Sequence, residues 1–325
     1  MKLRRTLIAA VIAVAAATLA ATVSASPIVG GPAMGKIAYF NFDVRDSGFD
    51  VMLADTNGTR VANITHDGTA KKNLDPNWSA NGMKVAFTSY YGKSGGADII
   101  VVDANGKGRV NLTSSPVARE GIQNINPTFS PDGSVVFASN RDGNFDLYRV
   151  GGILAKDGFE RITKTEAPTQ NLDPDYSPSG EMLVFSRVSL SASRVPTASL
   201  FTMRSIAGAT ATMLTKPFPG LGDRGAAWSP NGRQIAFHSD RAGNNNLYTV
   251  NSDGTGLRQL TLNKAADREL SWSPDGTTLV FLSDRTGHTE LWMTSLVGMS
   301  PGETFAWEVT YDKQDKGNPD WQPTG

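Results

Sequence analysis

Residues Asn126-Pro-Thr-Phe129-Ser-Pro-Asp-Gly133 decide the fold, because the same pattern of an aromatic followed by a tight turn returns five more times. It recurs as Asp75-Pro-Asn-Trp78-Ser-Ala-Asn-Gly82, Asp173-Pro-Asp-Tyr176-Ser-Pro-Ser-Gly180 and Gly225-Ala-Ala-Trp228-Ser-Pro-Asn-Gly232. The last two copies are Glu269-Leu-Ser-Trp272-Ser-Pro-Asp-Gly276 and Asn318-Pro-Asp-Trp321-Gln-Pro-Thr-Gly325. The aromatic positions lie 51, 47, 52, 44 and 49 residues apart. A period of this size marks a repeat architecture, in which each unit buries its apolar surface against its neighbours.

Outward from this pattern, each repeat reads as four short strands. The aromatic ends strand A, and Ser-Pro-Asp-Gly is a turn whose proline presets φ and whose glycine accepts a positive φ. Strand B follows as an apolar run, such as Lys84-Val-Ala-Phe-Thr88, Gln234-Ile-Ala-Phe237 or Leu279-Val-Phe-Leu282. A polar turn such as Asn140-Arg141, Asp240-Arg241 or Asp284-Arg285 leads to strand C, for example Asp146-Leu-Tyr-Arg-Val150. Strand D closes on Leu or Ile and Thr, as in Asn111-Leu-Thr113, Arg161-Ile-Thr163 and Gln259-Leu-Thr261. A four-stranded sheet with two apolar faces cannot cover both alone, and radial stacking covers them. Residues 36–65 supply strands B, C and D with no strand A before them, while the last eight residues supply a strand A with nothing after it. The expected fold is therefore all-β: a six-bladed β-propeller of four antiparallel strands per blade, its ring closed by the C-terminal strand A joining the N-terminal blade.

The N-terminus reads differently. Lys2, Arg4 and Arg5 precede an uninterrupted apolar stretch from Leu7 to Ala21, followed by Val23-Ser24-Ala25. This is the build of a secretory signal, with cleavage expected after Ala25 and an uncleaved anchor as the alternative, and Arg4-Arg5 also partly resembles a twin-arginine export signal. The expected organisation is a signal peptide at 1–25, a short linker at 26–35 and the propeller at 36–325. No later segment is apolar enough to span a bilayer. The 31 basic and 31 acidic residues balance, and removal of the signal leaves the remainder at a net −3. That gives no footprint for nucleic acid. Absence of cysteine excludes disulfides, thiolate zinc sites and thiol catalysis.

The aromatic-Ser-Pro-Asp-Gly turn, the Ser-Asp-Arg-x-Gly turn and the Leu-Thr ending together resemble the WD40-like, TolB-type (PD40) propeller repeat over residues 36–325. The resemblance implies a propeller and is not specific for function. TolB-type proteins carry a separate N-terminal domain; with about ten residues between the expected signal and the first blade, none is expected here. Related propellers accompany prolyl-oligopeptidase-type hydrolase domains, which are not expected here, and occur in oligogalacturonate lyases.

Catalytic signals are weak. Gly92-Lys-Ser-Gly-Gly96 has the letters of a nucleophile elbow but sits in a strand-to-strand turn, where the serine would not be exposed. His66, His238 and His288 lie in different repeats, so a lyase-like metal site would require them to converge. The repeated Asp-Arg and Asn-Arg pairs and the repeated tryptophans read as structural fixtures. Binding fits better. Asn73, Asn124, Asn171, Asp223 and Asp267 stand five residues before the aromatic, and Asp75, Asn126, Asp173, Glu269 and Asn318 stand three before it. Strict alternation puts both sets on one side of strand A, as an acidic channel mouth on the face of the B–C turns and D–A loops. The same face carries the irregular segments 90–96, 114–120, 188–196 and 216–223, with Tyr90, Tyr91 and Phe218 as aromatic anchors. The expectation is an exported, non-catalytic scaffold in the periplasm or outside the cell. Its partner would be a protein or peptide of the cell envelope. It would need no cofactor, although the acidic mouth offers a place for a divalent cation. The alternatives are a polysaccharide lyase or hydrolase, or a propeller that binds a metal or small sugar.

Overall fold

The computed structural model describes residues 35–43, 48–59, 61–67, 71–91, 95–114, 121–151, 158–190, 195–218, 220–298 and 305–324. The signal segment, nearly all of the linker and the loop residues 92–94, 115–120 and 191–194 fall outside the described residues. Among the described residues every regular element is a β-strand.

Four sheets are built alike, each from consecutive antiparallel strands in chain order from the channel outward. The first comprises β8 (Asn124–Phe129), β9 (Val135–Ser139), β10 (Asp146–Val150) and β11 (Phe159–Arg161). The second is β12 (Gln170–Tyr176), β13 (Met182–Leu190), β14 (Pro196–Arg204) and β15 (Thr212–Met213). The third is β16 (Asp223–Trp228), β17 (Gln234–Ser239), β18 (Asn246–Asn251) and β19 (Arg258–Gln259). The fourth is β20 (Asp267–Trp272), β21 (Thr278–Ser283), β22 (Glu290–Ser295) and β23 (Ala306–Glu308).

The remaining eight strands form one larger sheet. One half is β1 (Lys36–Asp43), β2 (Gly48–Asp55) and β3 (Val61–Asn63), with β24 (Lys316–Trp321) paired antiparallel to β1. The other half is β4 (Lys72–Trp78), β5 (Lys84–Tyr91), β6 (Gly96–Asp103) and β7 (Val110–Asn111). Among the described residues, the one strand pairing between the halves is a parallel pairing of Phe49 with Lys72.

The repeated letters have repeated jobs. In five copies the glycine that ends the turn sits at positive φ, between 65° and 83°, and donates its N–H to the carbonyl of the serine at 2.8–2.9 Å. A side chain would be strained there. The threonine after strand D is buried in every repeat. Its hydroxyl accepts the backbone N–H of Val51, Ile99, Leu147, Leu200, Leu247 or Leu291 at 2.9–3.1 Å. Thr65, Thr113 and Thr163 also donate to the carboxylates that open strand C, Asp50, Asp98 and Asp146. This satisfies a backbone donor that the two- and three-residue outer strands leave unpaired.

The apolar core lies between sheets. Phe87, Phe137, Phe185, Phe237, Phe281 and Tyr39 sit in the middle of the second strand of their repeat, none more than 1% exposed. Each such side chain contributes about 2–3 kcal/mol by leaving water. Each core cluster joins two consecutive strand sets, and one cluster packs Ile37 and Tyr39 of β1 against Val280, Leu282 and Leu291 of β21 and β22.

Candidate functional site: a channel lined by the innermost strands

The innermost strand of every set carries a bulge just before its aromatic residue. The bulged position is Asp75, Asn126, Asp173, Gly225, Glu269 or Asn318, all at positive φ between 44° and 57°. Asp and Asn tolerate this conformation better than most residues, which accounts for their choice here. The bulge breaks the two-residue alternation, so positions five and three before the aromatic do not share a surface.

The bulged residues line one cavity of about 620 Å³, with the aromatics Trp78, Phe129, Tyr176, Trp228, Trp272 and Trp321 beyond them. Pro131, Pro178, Pro230, Pro274 and Pro323 of the A–B turns line its far end. Among the described residues, none from a B–C turn or D–A loop lines it. The acidic ring therefore belongs to a cavity reached past the A–B turns, on the face opposite the irregular loops. The expected single binding face divides in two.

Within the ring, charge alternates. Asp75, Asp173 and Glu269 stand on alternate inner strands, separated by Asn126, Gly225 and Asn318. Each acid reaches the next strand. Glu269 Oε2 accepts the Asn318 N–H at 2.7 Å, and Asp173 accepts that of Gly225. The Asn126 N–H goes to the Thr88 hydroxyl at 3.1 Å, which itself donates to Asp75 at 3.0 Å.

Gly225 is the exception that places a histidine in the ring. A Cβ on Gly225 would come within 3.0 Å of the His238 imidazole, which lines the cavity in its place. His238 Nδ1 accepts the Glu269 N–H at 3.3 Å, so the ring proton resides on Nε2. Burial, together with Arg224 and Arg268, pushes its pKa down to about 4 and keeps it neutral.

The carboxylates move the other way. Burial, opposed by the Thr88 hydrogen bond and reinforced by Glu269 and Asp173, pushes Asp75 up to about 7. Burial also raises Asp173 and Glu269, against the pull of Arg224 on the first and of the Asn318 N–H and Arg268 on the second. One residue before the aromatic, Asp175 and Asp320 add two more acids, raised chiefly by burial to about 7 and about 6. The lining is thus rich in carboxylate, with Arg224 as its cation.

The set five residues before the aromatic does something else. Asn73, Asn124, Asn171, Asp223 and Asp267 are at most 3% exposed and do not line the cavity. Asp223 binds Arg241 at 2.6 and 2.7 Å, Asp267 binds Arg285 at 2.9 Å, and Asn124 Oδ1 accepts from Arg141 at 2.8 Å. These arginines belong to the repeated B–C turns and lie over aromatic rings of their own sheet. Asp223 and Asp267 are therefore turn anchors, and their expected place at the channel mouth is corrected.

The loop aromatics also separate. Tyr90 is half-buried close enough to Asp75 that burial and that charge push its hydroxyl up to about 12. Tyr91 is 41% exposed and packs over Gly96. Phe218 lies under the Arg241 guanidinium, 5.0 Å from its ring, and is not a free anchor. Nearby, Phe42 and Phe49 pack at 4.7 Å, with the Lys72 ammonium 5.4 Å from Phe49. Sequence reading missed this cluster because Phe42 and Phe49 fall just beyond the apolar runs that mark these strands, which extend to Lys36–Asp43 and Gly48–Asp55. His66 and His288 are exposed and do not line the cavity. Among the described residues, no group of three or more His, Cys, Asp or Glu side chains converges as a metal site. The serine of the elbow-like motif lies outside the described residues.

Four-stranded antiparallel sheets whose first strands line a polar channel define the class, a β-propeller. The chain belongs to the TolB beta propeller domain family (PD40), which matches residues 30–217 and 217–325. Among solved structures it is similar to TolB from Acinetobacter baumannii, with 21% identity and a TM-score of 0.71 over 90% of this chain and 68% of that one. A putative TolB from Agrobacterium tumefaciens matches with 20% identity and a TM-score of 0.59, covering 86% of this chain and 90% of the other. An oligogalacturonate lyase in complex with manganese matches with 18% identity and a TM-score of 0.53, covering 86% and 74%. At these identities the likeness is one of fold.

Proposed function

We propose that this protein is an exported six-bladed propeller that serves as a binding scaffold for a protein or peptide of the cell envelope, without catalysing a reaction. The reading of six blades is supported by the division of the larger sheet at the single Phe49–Lys72 pairing and by the pairing of β24 with β1. Export rests on the signal-like residues 1–25.

The observation that carries the binding reading is the channel. Groups from all six innermost strands converge on one cavity, as hydrogen-bonded acids and amides around a neutral imidazole and not as a nucleophile with its base. A cavity of this size and polarity suits an inserted chain segment. The aromatic group of Tyr90, Tyr91, Phe42 and Phe49 on the opposite face offers a second contact area. Lyase chemistry of the manganese kind finds no support, because His66 and His288 do not join His238 in the cavity.

The test is capture from envelope extract, followed by affinity measurement with the identified partner. Parent protein is compared with a folded D75N/D173N/E269Q variant and a folded Y90A/Y91A variant. A partner weakened by the first variant places binding in the channel, and one weakened by the second places it on the aromatic face. If neither variant alters any captured partner, the scaffold reading fails.

A further inference from the structure

The ring position without a side chain opens the channel wall to two groups that no other repeat brings there. Arg224 stands on β16 one residue before Gly225, and the antiparallel register pairs it with His238 on β17. Both line the cavity. Their counterparts in other repeats, such as Leu74 with Thr88 and Arg268 with Leu282, do not. There the side chain of the bulged residue covers the strand pair, and Gly225 has none to do so.

Both groups have donors to spare. Among the described residues the Arg224 guanidinium makes no hydrogen bond, has no ion-pair partner and lies over no aromatic ring. Its charge acts on Asp173 and on His238, which places it at this wall. The neighbouring acids are engaged elsewhere: Asp173 accepts the Gly225 N–H, and Glu269 accepts the Asn318 N–H at 2.7 Å. His238 spends Nδ1 on the Glu269 N–H at 3.3 Å. Its Nε2–H is left over, with no acceptor among the described residues. In a lining otherwise rich in acceptors, one cation and one ring N–H stand together and unspent.

We propose, resting on the channel as the binding site, that Arg224 and His238 form a carboxylate-binding subsite in its wall, which takes a C-terminal or side-chain carboxylate of an inserted peptide. A guanidinium presents two parallel N–H groups to the two oxygens of a carboxylate, and the imidazole N–H meets a further lone pair. The surroundings select the anion. Asp173 on β12 and Glu269 on β20 flank the subsite, so a doubly charged phosphate meets more repulsion there than a single carboxylate. The same two acids keep lone pairs for N–H donors. The amides next to a peptide carboxylate supply such donors, and a free inorganic anion does not.

The experiment uses the full chain without an added tag and compares N-acetyl-triglycine, its C-terminal amide, and N-acetyl-glycyl-glutamyl-glycine amide. Calorimetry gives affinities, and ¹⁵N spectra of labelled histidine report on Nε2. With three histidines in the chain, H66N and H288Q identify the His238 signal. At least one acid probe is expected to bind and move that signal, with the triglycine amide about tenfold weaker or more. Which acid probe binds tells a chain end from a side chain. R224L installs what Leu74 and Leu172 provide in other repeats and should weaken the acid probe about tenfold or more, while R268L changes it less than about twofold. The subsite is overturned if neither acid probe binds, if the amide binds as tightly as both, if R224L leaves affinity unchanged, or if R268L weakens it as much. If R224L does not fold, the spectrum of the parent decides: a His238 shift confined to acid probes upholds the subsite, and any other pattern overturns it. The probes need no envelope partner, so the two readings fail separately. A captured partner sensitive to D75N/D173N/E269Q, with no acid probe bound, keeps the scaffold and removes the subsite.

Discussion

The Asp320 carboxylate, near the C-terminus, accepts the backbone N–H of Trp78 at 2.6 Å, although the two residues lie 242 positions apart in the chain. The last strand thus holds the first complete repeat from the inside, while its outer edge pairs with β1 through Ile37–Trp321 and Ala38–Asp320. Loss of residues 318–325 should therefore damage much more than a tail. It uncovers the cluster around Ile37, Tyr39 and Val280 and strips β1 of its inner neighbour. The expected result is a broad, early thermal transition by circular dichroism. The point variant D320A leaves the Trp78 N–H unpaired and should cost about 1–3 kcal/mol in urea unfolding, with D320N costing less.

The turn anchors give a sharper contrast. Asp223 is fully buried and held by Arg241, whose side chain is 20% exposed. R241M strands a buried carboxylate and should cost about 3–5 kcal/mol. D223N should cost under about 1 kcal/mol, because Asn124 already serves Arg141 in the same way in another repeat. Chemical denaturation of both variants checks the order. A D223N protein less stable than R241M would contradict the assignment of Asp223 as a turn anchor.

The repeat was legible because its turn chemistry is local. Ser-Pro-Asp-Gly dictates a reversal wherever it occurs, and the aromatic before it always ends a strand. The channel was only half legible. Alternation would place Asn73 and Asp75 together only in an unbroken strand; here Asn73 anchors to Ser89 while Asp75 enters the cavity, because the left-handed bulge intervenes. Asn or Asp recurring at the bulged position was the available signal. Asp175 and Asp320 also stood in plain sight, two residues further on, but the aromatics next to them drew attention to the core. Arg224 and Arg268 carried no signal, because Leu74, Ile125 and Leu172 fill their position in other repeats. Phe218 looked exposed as a loop aromatic, and only the fold shows Arg241 above it.

The Leu-Thr ending makes a prediction that separates a hydrogen bond from packing. Thr163 accepts the Leu147 N–H at 2.9 Å and donates to Asp146 at 2.8 Å, all of it buried. T163V keeps the shape but leaves a buried N–H and a carboxylate short of a donor. The expected loss is about 1–3 kcal/mol, while T163S should keep most of the stability. Hydrogen exchange at Leu147 should speed up in T163V and not in T163S.

The last prediction concerns the one place where the ring carries no side chain of its own. Gly225 has a φ of 57°, and a Cβ there would press within 3.0 Å of His238. G225D should therefore lose about 1–3 kcal/mol, from overpacking against the imidazole and from the cost of the left-handed backbone. The corresponding pair in the first complete repeat is Asp75 with Thr88, joined at 3.0 Å. Replacing His238 by threonine in the G225D background should then recover part of the loss, since it recreates that pair and clears the space. A double variant less stable than the sum of the two single changes would mean that His238 holds Glu269 in a way threonine cannot replace, and that its Nδ1 bond to the Glu269 N–H outweighs the steric relief.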